Sequence, residues 1–185
     1  SFSLRETIVS RRTADGADFF TNSGRTAQRG VESRASFEPR ISDVFQSTKL
    51  WLSYTYNDFR FRDYVQNVTD FSGNWLTGIA PHVAVAGLDL QTRLGLYLNA
   101  TFNYTGRIPL NDANTFFAPG YRLLGGRLGF RKDIRRFSLD VFAGVDNALD
   151  ERYSLGNDLN AVGNRFFNAA PGRNWFGGVQ LRMRR

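Results

Sequence analysis

From Leu94 to Thr105 the chain reads LGLYLNATFNYT, and residue types alternate along it almost without error. Successive side chains of an extended strand point to opposite faces. Leu94, Leu96, Leu98, Ala100, Phe102 and Tyr104 therefore share one face, and Gly95, Tyr97, Asn99, Thr101, Asn103 and Thr105 share the other. A period of two specifies a strand rather than an amphipathic helix. It leaves open which face is wet, because a leucine row either fills the core of a soluble sandwich or meets hydrocarbon in a membrane barrel.

The same period recurs. Leu50, Leu52, Tyr54 and Tyr56 alternate with Trp51, Ser53, Thr55 and Asn57, and Leu124, Gly126, Leu128 and Phe130 with Gly125, Arg127, Gly129 and Arg131. Phe137 to Asp146 and Trp175 to Arg184 repeat it, and weaker versions occupy Phe2 to Val9, Arg25 to Phe37 and His82 to Leu90. The pattern predicts about eight strands of roughly 9 to 13 residues, longer than the five or six common in soluble proteins. Ten residues at about 3.3 Å each, tilted by roughly 40°, cross an apolar slab near 25 Å. The face opposite the leucines carries Asn, Thr, Ser, Asp, Gln and Arg, which a dry core leaves unsatisfied and a hydrated lumen suits. Tyr54, Tyr56, Tyr104, Phe137 and Trp175, near strand ends, fit the interfacial aromatic girdles of a barrel.

The connections alternate in length. Those around Ile41, Gln91 and Ile134 are short, whereas those near Asp15, from Asp63, from Arg107 and from Leu149 are long or polar. Outer-membrane barrels show that asymmetry, with short periplasmic turns and extended external loops. The expected fold is all-β: an antiparallel up-and-down transmembrane β-barrel with about eight strands present.

Composition narrows the function classes. The net charge is +7, with Lys49 and Lys132 the only lysines against 22 arginines. These basic residues are scattered singly through strands and connections, without a helical stripe or a Gly-rich phosphate loop, so no nucleic-acid partner is expected. The chain has no cysteine and one histidine, so no disulfide, metal site, cofactor or His-based catalysis is expected. His82, following Pro81, reads as a strand start. Asp146, Asp150 and Glu151 form no recognisable acid–base pair, and the chain is not expected to be an enzyme. The triplets at Asn67, Asn99 and Asn103 match a glycosylation pattern, but two of them fall inside a strand and all read as chance. No run nears the roughly 18 apolar residues of a spanning helix. The opening SFSLRETIVSRR resembles mid-strand sequence and lacks an initiator Met, which suggests a fragment.

FFTNSGRTAQRGVE from Phe19, GNWLTGIAPH from Gly73, FAGVDNALDERY from Phe142 and PGRNWFGGVQLRM from Pro171 together resemble the C-terminal barrel region of TonB-dependent outer-membrane receptors. The resemblance covers nearly the whole chain in the family's order. It implies the C-terminal third of a roughly 22-stranded barrel, with residues 1–185 forming one barrel segment. The plug domain, the upstream strands and the part that contacts TonB would precede Ser1. It further implies residence in the bacterial outer membrane and TonB-dependent uptake of a ferric siderophore or another scarce nutrient. Family members usually end in an aromatic residue, whereas this chain has Met183 there and closes LRMRR.

For an anionic cargo the candidate contacts are Arg62, Arg107, Arg152 and Arg165, in or beside the long connections and able to donate bidentate hydrogen bonds. Phe116, Phe117 and Tyr121 add apolar and stacking surface. The competing reading gives these arginines lipopolysaccharide phosphates and membrane lipid as partners, or ion pairs with Asp112, Asp150 and Glu151. Two alternatives to the receptor are a small self-closed eight-stranded barrel with a structural or adhesive role, and a soluble β ligand-binding module.

Overall fold

The computed structural model describes residues 2–5, 8–12, 17–22, 24–66 and 68–183. Eight strands form one sheet: β1 (Phe2–Arg5), β2 (Arg25–Phe37), β3 (Phe45–Asp63), β4 (His82–Thr92), β5 (Leu96–Thr105), β6 (Tyr121–Ile134), β7 (Phe137–Asp146) and β8 (Asn174–Met183). Each pairs antiparallel with the next in chain order. The topology is therefore a simple up-and-down meander. Among the described residues no pairing joins β8 to β1, so the sheet is an open wall and not a self-closed barrel.

Seven of the strands reach the expected length or exceed it. β3, at 19 residues, runs longest because the following chain folds back along its end. There Leu76 N–H donates to Phe59 C=O at 2.8 Å, Gly73 N–H to Phe61 C=O at 2.8 Å, and Phe61 N–H to Asn74 C=O at 3.0 Å. The weak alternation from Phe2 to Val9 is divided between β1 and a separate hairpin, Ile8–Arg12 with Asp18–Asn22. The connections at one end, residues 38–44, 93–95 and 135–136, are short, and those at the other, 64–81, 106–120 and 147–173, are long. Asp15 in the first long connection, Asn67, and Arg184 and Arg185 of the terminus lie outside the described residues. Asn99 and Asn103 lie within β5.

Register puts the apolar rows on one face. Leu128 stands between Leu98 and Ala143, Phe130 between Leu96 and Val141, and Leu139 beside Leu181. Leu50 and Leu52 continue the row against Leu88 and Ala86. This face is not a dry core: Leu128 is 59% exposed, Leu181 66% and Val179 71%. An apolar surface of this extent with no covering layer is what hydrocarbon requires of a barrel wall.

The opposite face is polar and closely knit. Asp140 accepts from Tyr97 Oη at 2.8 Å and Arg131 Nη2 at 2.8 Å, and Arg127 Nη2 approaches it at 3.5 Å. Asp89 accepts from Trp51 Nε1 at 3.2 Å and Asn99 Nδ2 at 2.6 Å. Three strands are tied by each carboxylate, and the Arg127 guanidinium also lies 3.5 Å above the Phe142 ring. The buried apolar side chains lie elsewhere. Phe61, Tyr64, Ala80, Leu110, Ala118 and Phe166 all belong to the long connections or the strand end beneath them.

Candidate ligand vestibule

The long connections fold locally because asparagine tolerates the left-handed conformation and its amide replaces missing backbone partners. Asn114 has φ of 54° and Asn147 of 48°. Asn111 Oδ1 accepts the N–H groups of Thr115 at 2.9 Å and Phe116 at 3.2 Å. Asn147, at the end of β7, clamps its own turn: Oδ1 accepts from Glu151 N–H and Nδ2 donates to Glu151 C=O, both at 2.9 Å.

Asp112 joins three of these connections. It is 2% exposed, and its carboxylate accepts from Tyr64 Oη at 3.2 Å, Asn160 Nδ2 at 3.2 Å and the Thr77 hydroxyl. Its N–H donates to Asn160 Oδ1 at 3.1 Å and its C=O accepts from Asn74 Nδ2 at 2.8 Å. A buried carboxylate persists only when its oxygens are filled in this way. Residues 64–81, 106–120 and 147–173 thereby form one packed unit, with Leu110, Ala118 and Phe166 as its apolar centre.

Two hollows open on the polar side. One, of about 570 Å³, runs along the polar face of β5 and β6 under the last connection, and its lining includes Asn99, Asn103, Arg127, Tyr153 and Asn174. The other, of about 390 Å³, lies among the connections and is lined by Tyr121, Arg152, Tyr153, Asn157 and Phe167 among others. Tyr153 borders both, its ring 4.8 Å from that of Tyr121. Guanidinium, phenol and amide groups converge here on a space open to solvent, an arrangement suited to an anionic or oxygen-rich ligand.

The structure separates the residues expected at the site. Tyr121 and Arg152 come together in the second hollow. Phe116 is 41% exposed and packs on Phe166 at 5.2 Å. Arg62 and Arg165 are exposed at the loop end, at the top of β3 and beside a short 3₁₀ turn, Val162–Asn164. Arg107 and Phe117 stand apart, the Arg107 Cζ 4.7 Å above the Phe117 ring, in a crevice with Tyr56, His82 and Tyr104 on the leucine side. His82 begins β4, its Nδ1 2.8 Å from Tyr54 Oη. Asp150 takes Arg173, a residue the sequence did not single out: Arg173 N–H donates at 3.0 Å and its guanidinium lies at 3.4 Å. The backbone hydrogen bond, then the side-chain one, hold the Asp150 carboxyl below its ordinary range. Tyr153 and Asp112 were also missed as structural centres. Tyr153 closes the DERY stretch already quoted, but its place between two hollows depends on contacts with β6.

A meander that is apolar on one face, polar on the other and extended into long connections at one end defines part of the wall of a transmembrane β-barrel. The chain belongs to the TonB-dependent receptor-like β-barrel family, whose model matches residues 4–148. Solved structures agree on the fold. The ferric citrate transporter FecA in the unliganded form is 20% identical, with a TM-score of 0.70 over 94% of this chain and 26% of that one. The ferric yersiniabactin uptake receptor FyuA from Yersinia pestis is 20% identical, with a TM-score of 0.65 over 89% and 24%. The copper transporter OprC is 17% identical, with a TM-score of 0.63 over 96% and 26%. The chain thus spans about a quarter of the length of the structures it matches.

Proposed function

We propose that residues 1–185 are the C-terminal wall and part of the external vestibule of an outer-membrane receptor that imports a scarce nutrient, of which a ferric siderophore is the leading candidate. The observation that carries this reading is the fused loop unit, tied together by Asp112, whose own residues line a hollow that holds Arg152, Tyr121 and Tyr153. In this reading the segment performs no covalent chemistry. The wall keeps its backbone groups paired within the membrane, and the vestibule captures cargo before parts of the protein upstream of Ser1 couple its release to TonB. Arg152 and Arg165 attract an anionic cargo, and Tyr121 and Tyr153 give its apolar parts a surface. The open sheet argues against a self-closed eight-stranded barrel, and the exposed leucine rows argue against a soluble module.

The test uses the full-length receptor and a panel of ferric siderophores, ferric citrate and copper complexes. For the true cargo, Arg152→Ala should weaken binding by about 10- to 100-fold, the loss of one charge-assisted hydrogen-bonding group, while folded barrel yield stays the same. Arg107, on the leucine side, lies away from the vestibule, so unchanged affinity in the Arg62, Arg152 and Arg165 variants alike removes the arginine assignment. Failure of every ferric complex to bind removes the siderophore reading.

A further inference from the structure

We propose that the larger hollow, on the polar face of β5 and β6, binds an amino-acid zwitterion, its carboxylate at Arg127 and its ammonium at Asp146. Both residues line that hollow of about 570 Å³. Register places the two charges on neighbouring strands but not opposite one another. Arg127 stands directly across from Gly144, and Asp146, two residues further along β7, is its diagonal neighbour on the same face. Diagonal neighbours lie about 7–8 Å apart, within reach of long side chains. The two nevertheless do not pair: among the described residues no cation lies within ion-pair distance of Asp146. Its carboxylate leans over Gly125 instead, with Oδ1 3.8 Å from where a Cβ on that residue would stand. Gly125 has no side chain to fill the space between the charges, and the rings of Tyr153 and Phe176 border it.

Arg127 is held in place without being fully matched. Its guanidinium carbon lies 3.5 Å from the Phe142 ring centre, and its Nη2 only approaches Asp140, at 3.5 Å. Asp140 is committed more closely to Arg131 and Tyr97, both at 2.8 Å. Arg127 Nε has no acceptor at all. A stacked guanidinium with donors to spare suits a carboxylate. An anion alone would gain Arg127 but meet the repulsion of Asp146, and a cation alone would meet the reverse. A group carrying both charges satisfies both residues, so the hollow discriminates by repulsion as well as by attraction. The smaller hollow differs, since its lining has Arg152 and no carboxylate. The inference rests on the vestibule reading above and adds to it the chemical class of one part of the cargo, an amino-acid group with its ammonium and carboxylate both free.

The experiment titrates the full-length receptor in phosphatidylcholine nanodiscs with L-serine, N-acetyl-L-serine and L-serinamide, read by saturation-transfer NMR in mildly acidic buffer, where free amines are charged. The second probe lacks the ammonium and the third the carboxylate. The wild type should bind L-serine about tenfold more tightly than either. Asp146→Asn should weaken L-serine binding about tenfold and erase its advantage over N-acetyl-L-serine, and Asp146→Glu should restore part of both. Arg127→Gln should erase the advantage over L-serinamide. Arg182→Gln, a cation elsewhere on β8, should change nothing. Equal binding of the three probes, no binding of L-serine, or an unchanged preference in Asp146→Asn overturns the proposal. Should Arg127→Gln not fold, as judged by heat-modifiable gel mobility, the wild-type series and the exposed Asp146 variants still decide it. A receptor that binds a ferric complex but shows no zwitterion preference refutes this inference alone, and one that prefers L-serine but binds no ferric complex refutes only the siderophore reading.

Discussion

Tyr97 lies directly across from Gly129, and its ring fills the space in which a side chain at position 129 would begin: a Cβ there would come within 2.4 Å of the phenol. Three further cross-strand pairs on the polar face repeat the relationship. Trp51 covers Gly87, Phe142 covers Gly178 and Phe176 covers Gly144, with Cβ clearances of 2.1, 2.7 and 2.3 Å. Large rings lie flat along the wall because their partners have no side chain, which keeps the adjoining lumen hollow.

Gly87→Ala should accordingly be destabilising, because the Trp51 indole must leave its hydrogen bond with Asp89 to make room. The expected loss is about 1–3 kcal/mol, as for overpacking elsewhere. Urea unfolding of the full-length receptor in lipid vesicles measures it, and a midpoint equal to wild type would show that the ring is not held.

Leu128 and Thr101 compare the two faces. Leu128→Arg places a charge in the middle of the outward row and should cost about 2–4 kcal/mol in the same assay. Thr101→Arg, on the polar face, should cost far less. Equal penalties would mean that hydrocarbon does not touch the leucine row.

Removing the Asp112 carboxylate should release the loop unit while leaving the sheet intact. In Asp112→Ala the hydroxyls of Tyr64 and Thr77 and the amide of Asn160 lose their shared acceptor, at about 1–3 kcal/mol for each donor left buried. Limited trypsin digestion should then cut faster after Arg107, Arg152 and Arg165, with heat-modifiable mobility preserved. An unchanged digestion pattern would place the loop stability elsewhere.

Asp150 anchors the return of the last long connection by holding Arg173 next to β8. Its folded pKa lies below the ordinary 3.8, so the anchor's contribution is present in full above that value and is lost as pH falls through the lower, folded value. Amide exchange at residues 168–173 should stay constant from neutral pH down to the ordinary carboxylate range, after correction for intrinsic rates, and rise only in stronger acid. Asp150→Asn should exchange faster at neutral pH and lose the acid step. A wild-type step well above the ordinary range would contradict the depressed pKa.

The vestibule shows how far residue types alone carry. Arg107 and Arg152 both sit in long polar connections, and nothing local distinguishes them. Arg107 turns to the leucine side, over Phe117, and Arg152 to the hollow beside Tyr121. The side each takes depends on how its connection leaves the strand and on what it packs against. Asp112 was equally anonymous, because its partners Tyr64 and Asn160 each lie 48 residues away. A loop aspartate has the same local appearance whether it is solvated or the centre of a buried network.

The strands, their two unlike faces and the alternation of short and long connections were determined by the sequence, because a period of two is local and each side chain's face follows from its neighbours. Register, the aromatic rings seated over glycines, the three-loop unit around Asp112 and the separation of Arg107 from Arg152 were decided only in the tertiary structure. Those features join residues far apart in the chain, and a polar side chain has many chemically equivalent partners until packing leaves it one set within reach.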